Sequence, residues 1–234
     1  MNVARTDTQP WQDFDLVQRA AAYAAGAHRD DLRKGTTTPY LSHLWSVAAL
    51  VLEHGGDDAQ VAAGLLHDVV EDHGGRTRLT DVHAHFGDEV ARLVEGLSDS
   101  VVDTTDGTDK PPWKERKARY LAHLAQADAR IQLVSACDKL HNARCLLADL
   151  RDQGRDVWSR FTESRPSEQL WYYRSLAATL GASDIPRGLA EELDRTVEEI
   201  AALATLVECP RCGDPLRVGP DGRLFCLFDG WRPR

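Results

Sequence analysis

The chain has 234 residues, 42% of them hydrophobic and 28% charged, with a formal net charge of −9. That length builds one full core plus a small appendage, and the acidic balance argues against general nucleic-acid or membrane-surface binding, which favours basic surfaces. No apolar stretch approaches the ~20 residues of a membrane span, and residues 1–11 lack a signal-peptide core, so a cytoplasmic protein is expected.

Apolar periodicity predicts an all-α chain, with a polar N-terminal tail over 1–12 and a helical domain over 13–207. Helices are expected over 13–28, 40–54 and 57–71, then 78–85, 87–98, 113–127, 129–152 and 166–182, with Gly55-Gly56 and Gly74-Gly75 as stops. Residues 186–207 read as a further amphipathic helix, because Leu189, Leu193, Val197, Ile200, Ala204 and Val207 recur at helical spacing. Residues 99–112 read as a loop, either a plain surface connection or a mobile gate. Lys110, Lys114, Arg116, Lys117 and Arg119 form a basic cluster beside it, suited equally to a solvated helix start or to phosphate contact. Five cysteines in a chain this long are no secreted disulfide framework, and Cys137 and Cys145 read as reduced core residues.

The segment Gly64-Leu65-Leu66-His67-Asp68-Val69-Val70-Glu71-Asp72 carries the chemistry. His67 and Asp68 offer an imidazole nitrogen and a carboxylate oxygen inside an apolar run. On a helix, residues four apart share a face, which sets Glu71 over His67 and Asp72 over Asp68. Burying so many ionisable groups is unfavourable unless a cation or a hydrogen-bond network compensates them. His43, at the start of the apolar helix 40–54, and Asp138, a single carboxylate in the apolar run before Lys139-Leu140, are the further ligands expected. Asn142 follows Asp138 on the same face. Imidazole and carboxylate donors suit manganese, iron, cobalt or zinc. The bland alternative is a set of satisfied polar residues in a helical core.

The order His43, His67-Asp68, Asp138 resembles that of the HD-domain metal-dependent phosphohydrolases. The stretch 27–43, with His28, Arg33-Lys34-Gly35, Tyr40 and His43, resembles the (p)ppGpp hydrolases: the hydrolase domain of RelA/SpoT proteins and the small alarmone hydrolases related to the metazoan SpoT homologue. Phe86-Gly87-Asp88-Glu89-Val90, Asp138-Lys139-Leu140-His141-Asn142 and Trp171-Tyr172-Tyr173-Arg174 extend the similarity to about residues 13–182. The resemblance implies an HD-domain helical bundle in which His43, His67, Asp68 and Asp138 hold one metal, most often manganese. It implies that Glu71 and Asp72 position and activate water, that Arg33 and Lys34 contact the nucleotide, and that Asn142 lies near metal and substrate. The implied reaction removes the 3′-pyrophosphate of ppGpp or pppGpp. A different phosphorylated nucleotide, such as the 2′-phosphate of NADPH, is the enzymatic alternative, and a non-catalytic nucleotide sensor the other. Two residues depart from the family pattern: His73 stands in place of the usual threonine, and Leu44 in place of a proline.

Residues 208–234 change character. Cys209-x-x-Cys212-Gly213 and Cys226-x-x-Asp229-Gly230, around Pro220-Asp221-Gly222, resemble a β-hairpin zinc ribbon with aspartate at the fourth position. Either Cys209, Cys212, Cys226 and Asp229 hold a structural zinc, or the metal has been lost and a hairpin survives. Five Arg against three Asp give residues 209–234 a charge of +2, which leaves −11 on the rest. The partner expected is a small phosphorylated nucleotide rather than nucleic acid or membrane, with homo-oligomerisation left open.

Overall fold

The structure, a computed structural model, describes residues 13–98, 111–204, 211, 216–218, 224–227 and 230–232. Nine α-helices account for the main body among these: α1 (Phe14–Ala27), α2 (Leu41–Glu53), α3 (Asp58–Leu66), α4 (Val69–Asp72), α5 (Gly75–Leu97), α6 (Trp113–Leu124), α7 (Ala129–Gln153), α8 (Pro166–Gly181) and α9 (Arg187–Ala204), with a 3-10 helix at Gly154–Arg160. The expected all-α body is present.

The helix starts are encoded locally. Asp57 caps α3 by accepting from the Gln60 amide at 3.0 Å, while the Gln60 side chain returns to the Asp57 amide at 3.0 Å. Asp128 caps α7 by accepting from the amides of Arg130 and Ile131. The core forms around α3 and α7. Eight of the nine residues of α3 are buried, as expected of a helix wrapped on all sides by α1, α2, α5 and α7. The long helix α7 runs past α2, α3, α5, α8 and α9, so its one buried carboxylate, Asp138, lies deep in the bundle. The stripe Leu189, Leu193, Val197 and Ile200 of α9 is fully buried, as its periodicity predicts, whereas Val207 lies outside the described residues.

Two boundaries differ from expectation. The helix expected over 57–71 is interrupted: α3 ends at Leu66, and after His67-Asp68 only a single turn, α4, resumes. Asp68 sits at φ −96° and ψ −10°, so the chain tightens at the His-Asp pair. The helices expected over 78–85 and 87–98 run together as α5 with a sharp bend at Gly87, where φ is 80° and ψ 176°. Only glycine adopts that conformation without strain.

In the tail, β1 (Arg217–Val218) pairs antiparallel with β2 (Leu224–Phe225), a ladder of two residues per strand. Buried Leu216 and Cys226 pack together, with Trp231 against them. Cys209, Cys212, Asp229, the expected Pro220-Asp221-Gly222 turn, residues 1–12 and residues 99–110 lie outside the described residues. Among the described residues no helix is long and apolar enough to cross a membrane.

Candidate metal centre

Three segments bring the four proposed ligands together: His43 from the first turn of α2, His67 and Asp68 from the α3–α4 joint, and Asp138 from the middle of α7. The His67 Nε2 to Asp68 Oδ2 distance is 2.8 Å, His43 Nε2 to Asp138 Oδ1 is 3.2 Å, and the two diagonal separations are 3.7 and 3.8 Å. The break in the helix accounts for part of this. On a regular helix, adjacent side chains diverge by about 100°, and the tightened joint lets both aim at one point.

The donor set fits a divalent cation. His43 and His67 are buried, and neither Nε2 meets a partner with hydrogen-bonding geometry. His67 Nδ1–H donates to the Gly64 carbonyl at 2.8 Å, which leaves Nε2 facing the carboxylates as the atom that would ligate a cation once its proton is lost. His43 Nδ1 lies 2.7 Å from His141 Nδ1, so that with His141 as acceptor His43 would present Nε2 to a cation. Two buried imidazole nitrogens without hydrogen-bond partners, set against the buried Asp138 and half-buried Asp68 carboxylates, are what such a cation would satisfy.

The electrostatics agree. Burial opposes protonation of His67, but the charges of Asp68 and Asp138 outweigh it and raise its pKa to about 9. Burial also opposes ionisation of Asp138, yet Lys139 and the imidazoles hold it well below the usual carboxylate range. Lys139 Nζ donates to Asp138 Oδ2 at 2.5 Å, and Asn142 Nδ2 donates to Oδ1 at 2.6 Å. Tyr40 donates its hydroxyl to Asp68 Oδ2, and burial together with that carboxylate keeps the phenol protonated. Burial, with His43 and Arg33 nearby, drives His141 down to about 4, so it stays a neutral acceptor.

Glu71 and Asp72 both fall on the single turn α4. Glu71 Oε1 lies 3.7 Å from the guanidinium of Arg116 on α6, and the charge of Asp72 acts on Tyr40. Arg33 Nη2 donates to Asn142 Oδ1 at 3.0 Å, which links the α1–α2 loop to the Asp138 side of the centre. Lys34 reaches Thr162 Oγ1 at 3.2 Å. Both line a cavity of about 460 Å³ whose wall also includes Tyr40, Asn142, Arg160 and Tyr173. Gly35, at φ 73°, lets Arg160 pass within 3.1 Å of where a Cβ would stand.

The sequence reading missed Tyr40, Lys139 and His141, which hold the ligands in place. Two of the three could have been found by spacing: Tyr40 lies three residues before His43 and His141 three after Asp138, each within one helical turn of a proposed ligand. Cys145 also requires correction. Cys137 is fully buried, but Cys145 is half-buried, lines the cavity and sits 3.7 Å from His141 Nε2. In the basic cluster, Lys114 pairs with Glu168 at 2.8 Å and Lys117 lies over Tyr172, while Arg116 turns toward Glu71.

The HD domain family model matches residues 20–166. The chain belongs to the HD-domain family. Within it, guanosine-3′,5′-bis(diphosphate) 3′-pyrophosphohydrolase MESH1 of Xenopus tropicalis is 32% identical over 186 residues, which cover 77% of this chain and 94% of that protein. A GTP pyrophosphokinase of Myxococcus xanthus is 32% identical over 185 residues, but the matched part is only 23% of its length. A solved structure of a metazoan SpoT ortholog, described as hydrolysing ppGpp, superposes with a TM-score of 0.60 at 27% identity, covering 84% of this chain and 99% of that one.

Proposed function

We infer that this HD-domain chain is a metal-dependent phosphohydrolase that removes the 3′-pyrophosphate of ppGpp or pppGpp, giving GDP or GTP and pyrophosphate. One observation carries the reading: two buried imidazole nitrogens without hydrogen-bond partners face the buried Asp138 and half-buried Asp68 carboxylates across 2.8–3.8 Å, next to a cavity lined by cations. The near full-length relationship to MESH1 supports the substrate class.

His43, His67, Asp68 and Asp138 would hold the metal, manganese by preference. When bound, such an ion neutralises phosphoryl charge and makes its water more acidic. Phosphoryl transfer demands alignment and charge compensation more than covalent catalysis. Glu71 is the proton acceptor for the attacking water, with Asp72 orienting it. Arg116, with its guanidinium 3.7 Å from Glu71 Oε1, orients that carboxylate. Arg33 and Lys34 bind the phosphates, Arg33 through its planar fork and Lys34 as a point charge. Asn142 ties Arg33 to Asp138 so that substrate and ligand move as a unit.

The chain divides into this domain, residues 13–207, and a tail, 208–234, in which Cys209, Cys212, Cys226 and Asp229 hold a structural zinc. The Cys226 amide donates to the Trp231 carbonyl at 2.8 Å and the Gly230 amide to the Cys226 carbonyl at 3.1 Å, a tight turn that suits this reading. Incubating manganese-loaded protein with a panel of phosphorylated nucleotides, ppGpp and NADPH included, and identifying the products tests the activity. Release of pyrophosphate from ppGpp is expected, and its absence with phosphate release from NADPH would redirect the assignment. Deleting 208–234 should remove one zinc per chain by elemental analysis and spare turnover; equal zinc content would dispose of the tail site.

A further inference from the structure

A second cluster of metal-ligating side chains lies outside the centre described above. His28 closes the C-terminus of α1, Asp31 follows in the α1–α2 loop, and His73 closes α4. Asp31 Oδ2 is 2.8 Å from His28 Nδ1 and 2.7 Å from His73 Nε2, and the two nitrogens are 3.1 Å apart. We propose that His28, Asp31 and His73 form a second divalent-cation site, one that takes a six-coordinate borderline ion such as Mn2+, Fe2+, Co2+ or Ni2+ on a two-histidine, one-carboxylate face.

The spacing is the first reason. Bonds of about 2.1 Å at right angles put neighbouring ligand atoms about 3.0 Å apart, whereas a tetrahedral zinc site spreads them to about 3.4 Å. The three observed separations fall at the octahedral value or slightly inside it. Proton bookkeeping is the second. If only one ring donates to Asp31, the other turns a lone pair on the same oxygen. If both donate, two N–H groups crowd one acceptor with their nitrogens 3.1 Å apart. A cation at the common point makes all three contacts favourable.

Exposure is graded as a working site requires. The His28 side chain is fully buried, while His73 is 26% and Asp31 38% exposed, so protein ligands hold one hemisphere and the other opens to water or an anionic ligand. Arg78, beside the cluster, is engaged elsewhere: it donates to the His73 carbonyl and to the Tyr23 hydroxyl, and lies 3.6 Å from Asp81. The site also shares a wall with the first. The His28 ring stacks on Tyr40 at 5.0 Å and 29°, and Tyr40 holds Asp68. An ion held there would stand one aromatic ring away from the first centre and add positive charge beside a phosphorylated substrate bound at it.

The test counts ions without relying on turnover. Full-length protein stripped with a chelator is titrated with Co2+, and bound cobalt is measured by elemental analysis and located by anomalous diffraction. Wild type should show an anomalous peak against Asp31 Oδ2, and Asp68→Ala should keep it while losing the peak at the first centre. Asp31→Asn and His73→Ala should each bind one cobalt fewer than wild type and keep the first peak. Because Asp31 and His73 are partly exposed, both variants should fold, and the wild-type map decides alone if either does not. No peak at Asp31 in wild type, or equal cobalt content in wild type and both variants, overturns the proposal. Either result would leave the hydrolase reading as it stands.

Discussion

His141 is neither one of the four proposed metal ligands nor a proposed phosphate-binding residue, yet it bears on which nitrogen His43 presents. Its Nδ1 lies 2.7 Å from His43 Nδ1 in a part-buried setting and is placed to accept from His43 Nδ1–H when His43 turns Nε2 to a metal. In His141→Ala the donor loses its acceptor, and leaving a buried donor unsatisfied costs about 1–3 kcal/mol. The alternative, a switch of His43 to the tautomer with its proton on Nε2, removes a ligand and cannot be cheaper to the metal. At 1.4 kcal/mol per decade the expected loss in metal affinity is about 10- to 100-fold, the range known for residues that orient histidine ligands. His141→Gln, which restores an acceptor, should recover most of it. Mn2+ titration by calorimetry on the three stripped proteins measures this directly. The pH dependence adds a second check. With its pKa lowered to about 4, His141 keeps its acceptor down to that region and loses it only as pH falls through it. The deficit of the alanine variant should therefore be constant from about pH 5 to 8. An unchanged manganese affinity in His141→Ala, or a step in the deficit near pH 6.5, would refute the tautomer argument.

Other outcomes follow from the same geometry. His67, raised to about 9 without metal, must lose a proton to become a ligand, so manganese affinity should climb about tenfold per pH unit between about 7 and 9, with one proton released on binding. A flat affinity across that window would contradict the coupling to Asp68 and Asp138. Glu71→Gln should retain the metal and lower turnover roughly 10²-fold or more; equal rates would make Glu71 a structural partner of Arg116. Tyr40→Phe deletes a charge-assisted hydrogen bond to Asp68, and manganese affinity should fall about 10-fold or more with the helical circular dichroism unchanged.

Much of the site was legible because its chemistry conflicts with its surroundings. His43, His67, Asp68 and Asp138 each interrupt an apolar run, and an ionisable group there needs a reason. The helices were legible for the opposite reason: the Leu189–Leu193–Val197–Ile200 stripe of α9 agrees with its environment at every turn. What failed to show was local geometry set by tertiary contact. Nothing in Leu65-Leu66-His67-Asp68-Val69 breaks a helix by propensity, so the joint at Asp68 is imposed by packing. The His28–Asp31–His73 cluster was equally invisible, because two of its members precede α2 and the third follows α4. Arg116, read as one of several basic residues, acquired its meaning only when α6 laid it beside Glu71.

The proposed ligands of the first centre are scattered along the chain: His43 and Asp138 are 95 positions apart, with His67 and Asp68 between them. No partly folded chain can assemble such a site, since α2, the α3–α4 joint and α7 must all have docked before a cation finds its shell. Metal binding at the proposed centre would thus be a late event in folding and would work as a removable cross-link over a long loop. It should slow unfolding far more than it speeds folding, because the contacts it rewards are absent until the barrier has been crossed. Removal of the ion would then shorten the lifetime of the folded bundle while leaving its route to the native state nearly unchanged.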